Sequence, residues 1–446
     1  MSIYRPFTVV IGLGPTGLAC VRYLVKRGFS VAVTDSREHP PCLNVLNKQF
    51  PKVEVVTGQL SEDLIQRAEQ LVISPGVSSH QILIEKQVKR GIPVLGDIEL
   101  FARENTVPVL AITGSNGKTT VTTILGEMVA RAGYQVRVGG NIGQQALELL
   151  DQDEPDFYVM ELSSFQLETT FSLKPKAAVI LNVSPDHMDR YDGLGAYRAA
   201  KQNIYRDCEY AVVNADEPEN WSALALNAKL IPFTLQAPKE NQFGLRHIDG
   251  ELCIALGDEK LLPTSQLQLQ GQHHFQNALA ALGMGYSVGL SMEAMLSVLQ
   301  EFSGIPHRCQ LVTEKNNVQW INDSKGTNAG ASVAAIQSLG AAREGQLLLI
   351  AGGDAKQADL TPLRDPVSEF VSQVYLFGQD ADALQQVLDG VTQCYRVTSL
   401  EEAVMQAAKK TAPGDIVLFS PACASFDMFD NYEHRGQVFM DLVKGL

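Results

Sequence analysis

Short apolar runs alternate with longer segments of helical period along almost the whole chain. Runs rich in valine, isoleucine and leucine, typical of buried strands, occupy residues 8–11, 109–113, 178–181, 347–351 and 416–419. Each precedes a loop of small and polar residues. Buried strands that alternate with helices are the pattern of parallel sheets joined by crossover helices. We therefore predict an α/β protein whose ligands bind where strands end and helices begin.

Composition narrows the class of protein. Hydrophobic residues make up 45% of the chain and charged residues 19%, as in well-packed globular proteins. The formal net charge of −14 leaves little basic surface of the kind that binds a nucleic-acid backbone. No run approaches the ~18 apolar residues of a membrane span, and residues 1–11 lack the apolar core of a signal peptide. We expect a cytoplasmic protein that neither binds nucleic acid nor inserts into a membrane.

A glycine motif follows the first predicted strand. Gly12, Gly14 and Gly17 have the G-x-G-x-x-G spacing, and Asp35 ends the next strand. Glycines in this pattern let the backbone approach a pyrophosphate at the N-terminus of a helix. NAD and a UDP-sugar both present a pyrophosphate, so the motif leaves both open. Taken alone, it favours a dehydrogenase.

A second loop, Thr-Gly-Ser-Asn-Gly-Lys-Thr-Thr at residues 113–120, stands between a predicted strand and a predicted helix. In such a loop, backbone N–H groups cradle phosphates, Lys118 neutralises the β- and γ-phosphates, and the Thr119 hydroxyl binds Mg²⁺. Ile112 stands where the usual motif has its first glycine. The motif predicts an ATP site, for which a dehydrogenase has no use.

Two further strands end in side chains that suit a metal ion. Glu161 and His187 each follow an apolar run. If these runs are strands parallel to the one before the phosphate loop, both side chains lie at the phosphate edge of the sheet. There they can bind Mg²⁺ beside the triphosphate. Lys201 lies in a helical segment, where the residues alone predict a solvated lysine.

Three loops in the last third of the chain have the composition of ligand-binding loops. Residues 322–328, 352–356 and 420–427 each follow a predicted strand and are rich in Gly, Ser, Asp and Lys. Because the carboxyl ends of parallel strands meet at one edge of a sheet, we expect these loops to form a second ligand-binding edge. A glycine–proline turn at residues 304–306 predicts a hinge before them.

The length of 446 residues predicts about three domains, at ~150 residues each. We assign residues 1–96 to an N-terminal Rossmann-like domain. Residues 97–304 are predicted to form a central domain with a P-loop ATPase-type parallel sheet. Residues 305–446 are predicted to form a C-terminal Rossmann-like domain that closes over ATP.

The motifs occur in the order found in one enzyme family. Over essentially its whole length the chain resembles the Mur ligases of bacterial cell-wall synthesis, and among them the members that add D-glutamate. The resemblance is carried by the phosphate loop and by five further motifs. They are Glu-Leu-Ser-Ser-Phe-Gln-Leu-Glu, Asp-His-Met-Asp-Arg-Tyr, Tyr-Arg-Ala-Ala-Lys, Asn-Asp-Ser-Lys and Ser-Pro-Ala-Cys-Ala-Ser at residues 161–168, 186–191, 197–201, 322–325 and 420–425. His274 stands where members often have asparagine, and Tyr432 where they commonly have phenylalanine.

The resemblance implies a role for each motif residue, and it implies that the first glycine motif holds a UDP-sugar instead of NAD. The implied contacts of the UDP-substrate are Gly14, Thr16, Gly17, Asp35, Ser36, Arg37, Ser74, Asn141 and His187. The implied contacts of ATP are Gly114, Ser115, Asn116, Gly117, Lys118, Thr119, Thr120, Asn277, Arg308 and Asp323. The implied contacts of D-glutamate are Lys325, Thr327, Lys356, Ser425 and Tyr432.

The resemblance also implies the catalytic and metal-binding residues. The implied catalytic residues are Lys118, Glu161, His187 and Lys201. Two Mg²⁺ ions, replaceable by Mn²⁺, would be bound by Thr119, Glu161, His187 and Lys201. The family carbamylates the matching lysine, which turns a cation into a metal-binding anion and reverses the expectation that Lys201 is solvated.

The implied activity is that of an ATP-dependent, amide-bond-forming ligase of peptidoglycan precursor synthesis. ATP would convert the L-alanyl carboxylate of UDP-N-acetylmuramoyl-L-alanine to an acyl phosphate, and the amine of D-glutamate would then displace phosphate. We expect the protein to be a monomer. Three alternatives stay open: an NAD-dependent oxidoreductase, a regulatory ATP-binding module without turnover, and a Mur ligase that adds another amino acid.

Overall fold

A computed structural model of the chain describes residues 5–184, 187, 190–224, 227–355 and 358–446, except for the side chains of residues 341 and 342. The chain divides into two compact units, Met1–Phe302 and Ser303–Leu446. Among the described residues, the first unit contains two sheets and the second unit contains one. Helices alternate with largely parallel strands in all three sheets, which confirms the predicted α/β class.

The first sheet is wholly parallel, with the strand order β3-β2-β1-β4-β5. Ile11, at the end of its central strand, is level with Thr34 and Ile73 on the neighbouring strands, so three strand-end loops meet at one edge. The first helix begins at Pro15, because proline is well suited to the first turn of a helix. The elements are β1 (Thr8–Ile11), α1 (Pro15–Lys26), β2 (Val31–Thr34), α2 (Leu43–Gln49), β3 (Glu54–Val56), α3 (Glu62–Arg67), β4 (Gln70–Ile73), α4 (Ile82–Lys89), β5 (Val94–Leu95) and α5 (Asp97–Glu104).

The second sheet has the strand order β14-β13-β12-β11-β10-β9-β6-β8-β7. Its strands are parallel from β7 to β12, and two antiparallel hairpins extend the predicted parallel sheet through β13 and β14. The elements are β6 (Val109–Thr113), α6 (Lys118–Arg131), β7 (Val136–Gly140), α7 (Ala146–Leu149), β8 (Phe157–Glu161), α8 (Ser164–Glu168), β9 (Ala177–Ile180), α9 (Leu194–Gln202), β10 (Tyr210–Asn214), β11 (Lys229–Phe233), β12 (Phe243–Ile248), β13 (Glu251–Leu256), β14 (Glu259–Pro263), α10 (Gln272–Ser287) and α11 (Met292–Glu301).

The third sheet, in the second unit, has the strand order β15-β16-β20-β17-β18-β19 and is parallel except for the β15–β16 hairpin. Its central strands β16, β20 and β17 end side by side. The elements are β15 (Gln310–Lys315), β16 (Val318–Asn322), α12 (Ala329–Ala342), β17 (Leu347–Gly352), α13 (Arg364–Phe370), β18 (Val371–Phe377), α14 (Ala381–Leu388), β19 (Gln393–Arg396), α15 (Leu400–Ala408), β20 (Ile416–Phe419) and α16 (Tyr432–Lys444).

A helix that crosses a bilayer needs about 20 consecutive, predominantly apolar residues. Within the described ranges, no helix is both long enough and apolar enough to cross a membrane.

Candidate active site

A cavity of about 510 Å³ lies in the first unit, where the strand-end loops of the first sheet face the end of β7. Polar side chains, four glycines and a few apolar side chains line it, which suits a ligand of substantial size with both polar and apolar parts. Seven of the nine predicted contacts of the UDP-substrate line it: Gly14, Thr16, Asp35, Ser36, Arg37, Ser74 and Asn141. In the described chain, Gly17 lies on helix α1 outside that lining, and His187 lies near the phosphate loop.

Asp35 organises the glycine turn at one end of the cavity. Its Oδ2 accepts a hydrogen bond from the Leu13 N–H at 2.7 Å, and both of its oxygens accept hydrogen bonds from the Arg37 guanidinium at 2.6–2.9 Å. Burial acts to raise the pKa of this carboxyl, but the Arg37 and backbone hydrogen bonds outweigh it and hold the pKa below its usual value. Asp35 therefore fixes the turn and points a cationic side chain along the cavity wall.

Close packing explains two of the glycines in this motif. Gly12 has φ +94°, a conformation that glycine adopts readily, and its carbonyl accepts a hydrogen bond from the Ser74 hydroxyl at 2.8 Å. A Cβ on Gly17 would lie 1.9 Å from the Gly12 carbonyl oxygen. Gly17 thus lets helix α1 pack against the turn, and its predicted contact with the diphosphate stays a prediction.

The cavity also has polar residues that sequence reasoning missed. The Gln145 Oε1 accepts a hydrogen bond from the Thr16 hydroxyl at 2.7 Å, which joins the two sheets across the cavity. Gln166 lines the wall and donates to the buried Asp97 at 3.0 Å. Gln145 stands in no motif, and Gln166 stands in the motif at residues 161–168 without a predicted role, because each becomes a cavity residue only when the second sheet packs beside the first.

The phosphate loop has the geometry that its sequence predicts. Gly117 has φ +83°, and helix α6 begins at the next residue, so its first N–H groups face the loop. The Lys118 ammonium donates to the carbonyls of Gly114 and Ser115 at 2.9 and 3.0 Å. The Ser115 hydroxyl donates to the Ser184 carbonyl at 3.0 Å, which ties the loop to the segment after β9.

Asn277, on helix α10, packs directly against this loop. A Cβ on Gly117 would lie 2.3 Å from the Asn277 Oδ1, so a larger residue at position 117 would clash with the asparagine. Asn116 is anchored separately, because its N–H donates to the Asn182 Oδ1 at 2.9 Å. The structure thus brings Asn277 to the phosphate loop, while its contact with adenine stays a prediction.

Glu161 is the side chain best suited to a metal ion. It ends β8 level with Ile112 on β6, and only 3% of it is exposed. Its Oε1 accepts a hydrogen bond from the Asn141 amide at 2.9 Å, whereas its buried Oε2 has no hydrogen-bond partner among the described residues. A buried carboxylate oxygen without a donor is costly, and a bound divalent cation would satisfy it.

Lys201 is buried, with 1% of its surface exposed, so the solvated lysine predicted from the residues alone is wrong. It lies on the inner face of α9, where its Nζ donates to the Gly114 carbonyl at 2.9 Å and lies 4.6 Å from the centre of the Tyr197 ring. The His187 ring lies 6.3 Å from the same Tyr197 ring. Lys201 and His187 therefore flank one tyrosine beside the phosphate loop.

In the parts of the chain that the structure describes, no three His, Cys, Asp or Glu side chains lie close enough to share a metal ion. Glu161 and the Thr119 hydroxyl are nevertheless oxygen donors of the kind that Mg²⁺ prefers. A carbamate on Lys201 would add further oxygens of that kind. The residues present fit a magnesium site on this chemistry.

In the second unit, Asp323 lies at the end of β16 and is 6% exposed. Its carboxylate accepts hydrogen bonds from the Cys309 N–H at 3.2 Å and the Ser420 hydroxyl at 2.7 Å. Burial raises its pKa to about 6, although these hydrogen bonds act against the rise. Arg308, the other predicted nucleotide contact in this unit, is exposed.

The structure describes four of the five predicted D-glutamate residues, and it places Lys325 close to Tyr432 at the start of α16. The Lys325 ammonium lies 5.4 Å from the centre of the Tyr432 ring, and the Thr327 N–H donates to the Lys325 carbonyl at 2.9 Å. Ser425 is buried in the loop that follows β20. Lys356 lies outside the described residues.

Arg435 donates hydrogen bonds to two of the strand-end loops of the third sheet, and the sequence analysis did not identify it. The side chain is fully buried and donates to the Ser324 hydroxyl and carbonyl at 3.1 and 2.9 Å, and to the Cys423 and Ala424 carbonyls at 3.1 Å. Burial lowers its pKa to about 10. One guanidinium thus joins the loops after β16 and β20, which carry Lys325 and Ser425. A sequence pattern gives no signal for it, because an arginine on a C-terminal helix is ordinarily solvated.

These features together define a nucleotide-binding α/β protein that has a phosphate loop and, separate from it, the cavity described above. The Mur ligase MurD-like N-terminal domain, the Mur ligase middle domain and the Mur ligase glutamate ligase domain match residues 7–96, 112–285 and 307–423. The chain belongs to the Mur ligase family.

Named relatives agree with this assignment, and a solved structure has a similar fold. The chain is 51% identical over 439 residues to the UDP-N-acetylmuramoylalanine–D-glutamate ligase of Coxiella burnetii (strain Dugway 5J108-111), covering 98% of this chain and 99% of the relative. It is 48% identical over 440 residues to the enzyme of the same name from Pseudomonas putida (strain KT2440), covering 99% and 98%. The fold resembles that of Thermotoga maritima UDP-N-acetylmuramate-alanine ligase, with a TM-score of 0.58 and 18% identity over 99% and 100% of the two chains.

Proposed function

We propose that this protein is the ligase that adds D-glutamate to UDP-N-acetylmuramoyl-L-alanine, with hydrolysis of ATP to ADP and phosphate, in the synthesis of a peptidoglycan precursor. The high identity to relatives of that name over nearly the whole chain supports this substrate pair. We also propose that the protein acts in the cytoplasm as a monomer.

One structural observation carries the proposal: Asn141 lines the substrate cavity and also donates to Glu161 at 2.9 Å. Glu161 in turn lies beside the phosphate-loop strand. A substrate that fills the cavity therefore ends next to the place where the γ-phosphate is expected. This proximity is what transfer of a phosphoryl group from ATP to a substrate carboxylate requires.

The residues of the first unit have distinct tasks in this reaction. The carboxylate of the L-alanyl group attacks the γ-phosphorus of ATP, and ADP leaves. Lys118 and the N–H groups at the start of α6 stabilise the charge on the transferred phosphoryl group. The amine of D-glutamate, after losing a proton, attacks the carbonyl carbon of the acyl phosphate. Collapse of the tetrahedral intermediate expels phosphate and leaves the amide.

We propose that two Mg²⁺ ions, replaceable by Mn²⁺, are held by Thr119, Glu161, His187 and a carbamylated Lys201. When bound, the ions supply positive charge that offsets the repulsion between the triphosphate and the substrate carboxylate. Glu161 contributes the buried Oε2, which lacks a donor among the described residues, and Asn141 orients the carboxylate through its Oε1.

We propose that the strand-end loops of the second unit bind D-glutamate. Lys325 offers a cation for a carboxylate, and Arg435 holds its loop in place. The contact of Lys356 with D-glutamate stays a prediction, as do the contacts of Arg308 and Asp323 with ATP.

The proposal is tested by measuring phosphate release with Mg·ATP and UDP-N-acetylmuramoyl-L-alanine while one amino acid is added at a time. We expect release that depends on D-glutamate, with L-glutamate, L-alanine and diaminopimelate giving background rates. Release with a different amino acid would retain the ligase chemistry and overturn the proposed specificity. If no amino acid supports release, a regulatory ATP-binding module becomes the better interpretation. Nicotinamide fluorescence on titration with NADH checks the oxidoreductase alternative in the same sample.

A further inference from the structure

An arginine between β9 and α9 donates hydrogen bonds to the loop that forms part of the substrate cavity. Arg190 donates from Nη1 to the Pro75 carbonyl at 2.6 Å and from Nη2 to the Val77 carbonyl at 3.2 Å. Pro75, Gly76 and Val77 all line the cavity. The two hydrogen bonds fix the backbone of this loop from the side of the neighbouring sheet.

The Arg190 side chain is itself held rigidly. Its Nη2 also donates to the Glu168 Oε2 at 3.1 Å, and its guanidinium carbon lies 3.9 Å from the centre of the Phe165 ring. Only 12% of the side chain is exposed. The other oxygen of Glu168 accepts a hydrogen bond from the Tyr191 hydroxyl, so the carboxylate is fixed as well. A guanidinium restrained in this way loses little further entropy when it orders a loop.

The same cluster reaches His187. The Phe165 ring lies 4.7 Å from the His187 ring and is stacked on the Tyr191 ring at 5.9 Å. Arg190 is three residues beyond His187 in the chain, so one short segment contacts the cavity loop and carries a residue expected to bind metal. Movement of Arg190 would therefore disturb the position of the substrate relative to the phosphate loop.

We propose that Arg190 is a positioning residue, which holds the Pro75–Val77 loop so that the UDP-substrate is bound with its carboxylate directed at the transferred phosphoryl group. This inference rests on the proposed function, because it assigns the cavity to the UDP-substrate. Arg190 acts through the loop backbone and through Phe165.

The test compares Arg190→Met and Arg190→Lys with the wild-type protein. For Arg190→Met we expect about tenfold weaker binding of UDP-N-acetylmuramoyl-L-alanine in calorimetry without ATP, and an increase of similar size in its KM, because charge-assisted hydrogen bonds to the loop are lost. The KM values for ATP and D-glutamate should stay within about twofold. Arg190→Lys keeps the charge but not the two-pronged donor geometry of the guanidinium. Its affinity for the UDP-substrate should lie between those of the wild type and Arg190→Met.

Arg206→Met is the matched control. Arg206 also donates to a backbone carbonyl, that of Thr170 at 2.9 Å, and lies 5.9 Å from the Phe171 ring, but neither contact touches the cavity lining. Its KM values should equal those of the wild type. If Arg190→Met does not fold, Glu168→Gln removes the charge that holds Arg190 and should shift the same KM in the same direction.

The outcomes distinguish a failure of the positioning role from a failure of the proposed function. Equal binding of the UDP-substrate by wild type and Arg190→Met overturns the positioning role and leaves the proposed function intact. A uniform change in all three KM values, with a lower melting temperature, shows a merely structural role and also overturns it. Failure of the wild-type protein to bind the UDP-substrate overturns the proposed function, and the inference with it.

Discussion

Replacing Glu161 with glutamine is expected to lower kcat by roughly a hundredfold to a thousandfold, the range seen when one preorganised electrostatic contact to the transition state is lost. The substitution preserves the volume of the side chain and an oxygen that can accept from Asn141. It removes the negative charge from the position where the buried Oε2 has no partner in the described structure. The protein should therefore fold normally and bind Mg²⁺ weakly.

The measurement is a titration of activity with Mg²⁺ for Glu161→Gln and wild type. We expect half-maximal activity of the variant at a Mg²⁺ concentration at least about tenfold higher, because a carboxylate ligand contributes most of its affinity through its charge. Glu209→Gln, an exposed carboxylate paired with Lys176, is the control and should behave as the wild type. A variant with wild-type kcat and Mg²⁺ dependence would mean that Glu161 is not a metal ligand.

Replacing Lys201 should lower kcat by a similar or greater factor. The choice of the replacing residue distinguishes a role as a cation from a role as a carbamate. As a cation, Lys201 restrains the phosphate loop through its 2.9 Å hydrogen bond to the Gly114 carbonyl. As a carbamate it would be an anion that binds metal. Arginine keeps the cation but cannot form the carbamate. If Lys201 acts as a carbamate, Lys201→Arg and Lys201→Ala should both lose about a thousandfold in kcat.

Carbamate formation can also be observed directly. Wild-type protein equilibrated with ¹³CO₂ should show a carbamate resonance in its ¹³C spectrum that is absent from Lys201→Arg. Lys176→Ala, at a partly exposed lysine, serves as the control and should retain both the resonance and the activity. Substantial activity in Lys201→Arg, together with no resonance in the wild type, would establish the cationic role instead.

Much of the site could be predicted because phosphate-binding loops depend on local sequence. The strand, the glycine turn and the lysine of the loop at residues 113–120 are adjacent in the chain, so their spacing already determines that the loop begins a helix. Parallel strand ends then place Glu161 at the same edge, which its register with Ile112 confirms. The first glycine motif was predictable for the same reason.

The residues that were missed depend on contacts between distant segments. Gln145 meets Thr16 across 129 positions, and Arg435 meets Ser324 across 111. The hairpins of β12, β13 and β14 escaped prediction because no helix separates these strands, unlike most strands of the sheet. Lys201 looked solvated because a lysine on a helix is ordinarily exposed, whereas its amine contacts Tyr197 and the Gly114 carbonyl in the structure.

The central claim is that ATP activates the substrate carboxylate before the amide forms. It is tested most directly by preparing UDP-N-acetylmuramoyl-L-alanine with ¹⁸O in its carboxylate and analysing the phosphate released during turnover with D-glutamate. Transfer through an acyl phosphate moves one labelled oxygen into each phosphate released, and the account predicts this result. Phosphate that carries no label while the amide product accumulates would contradict it.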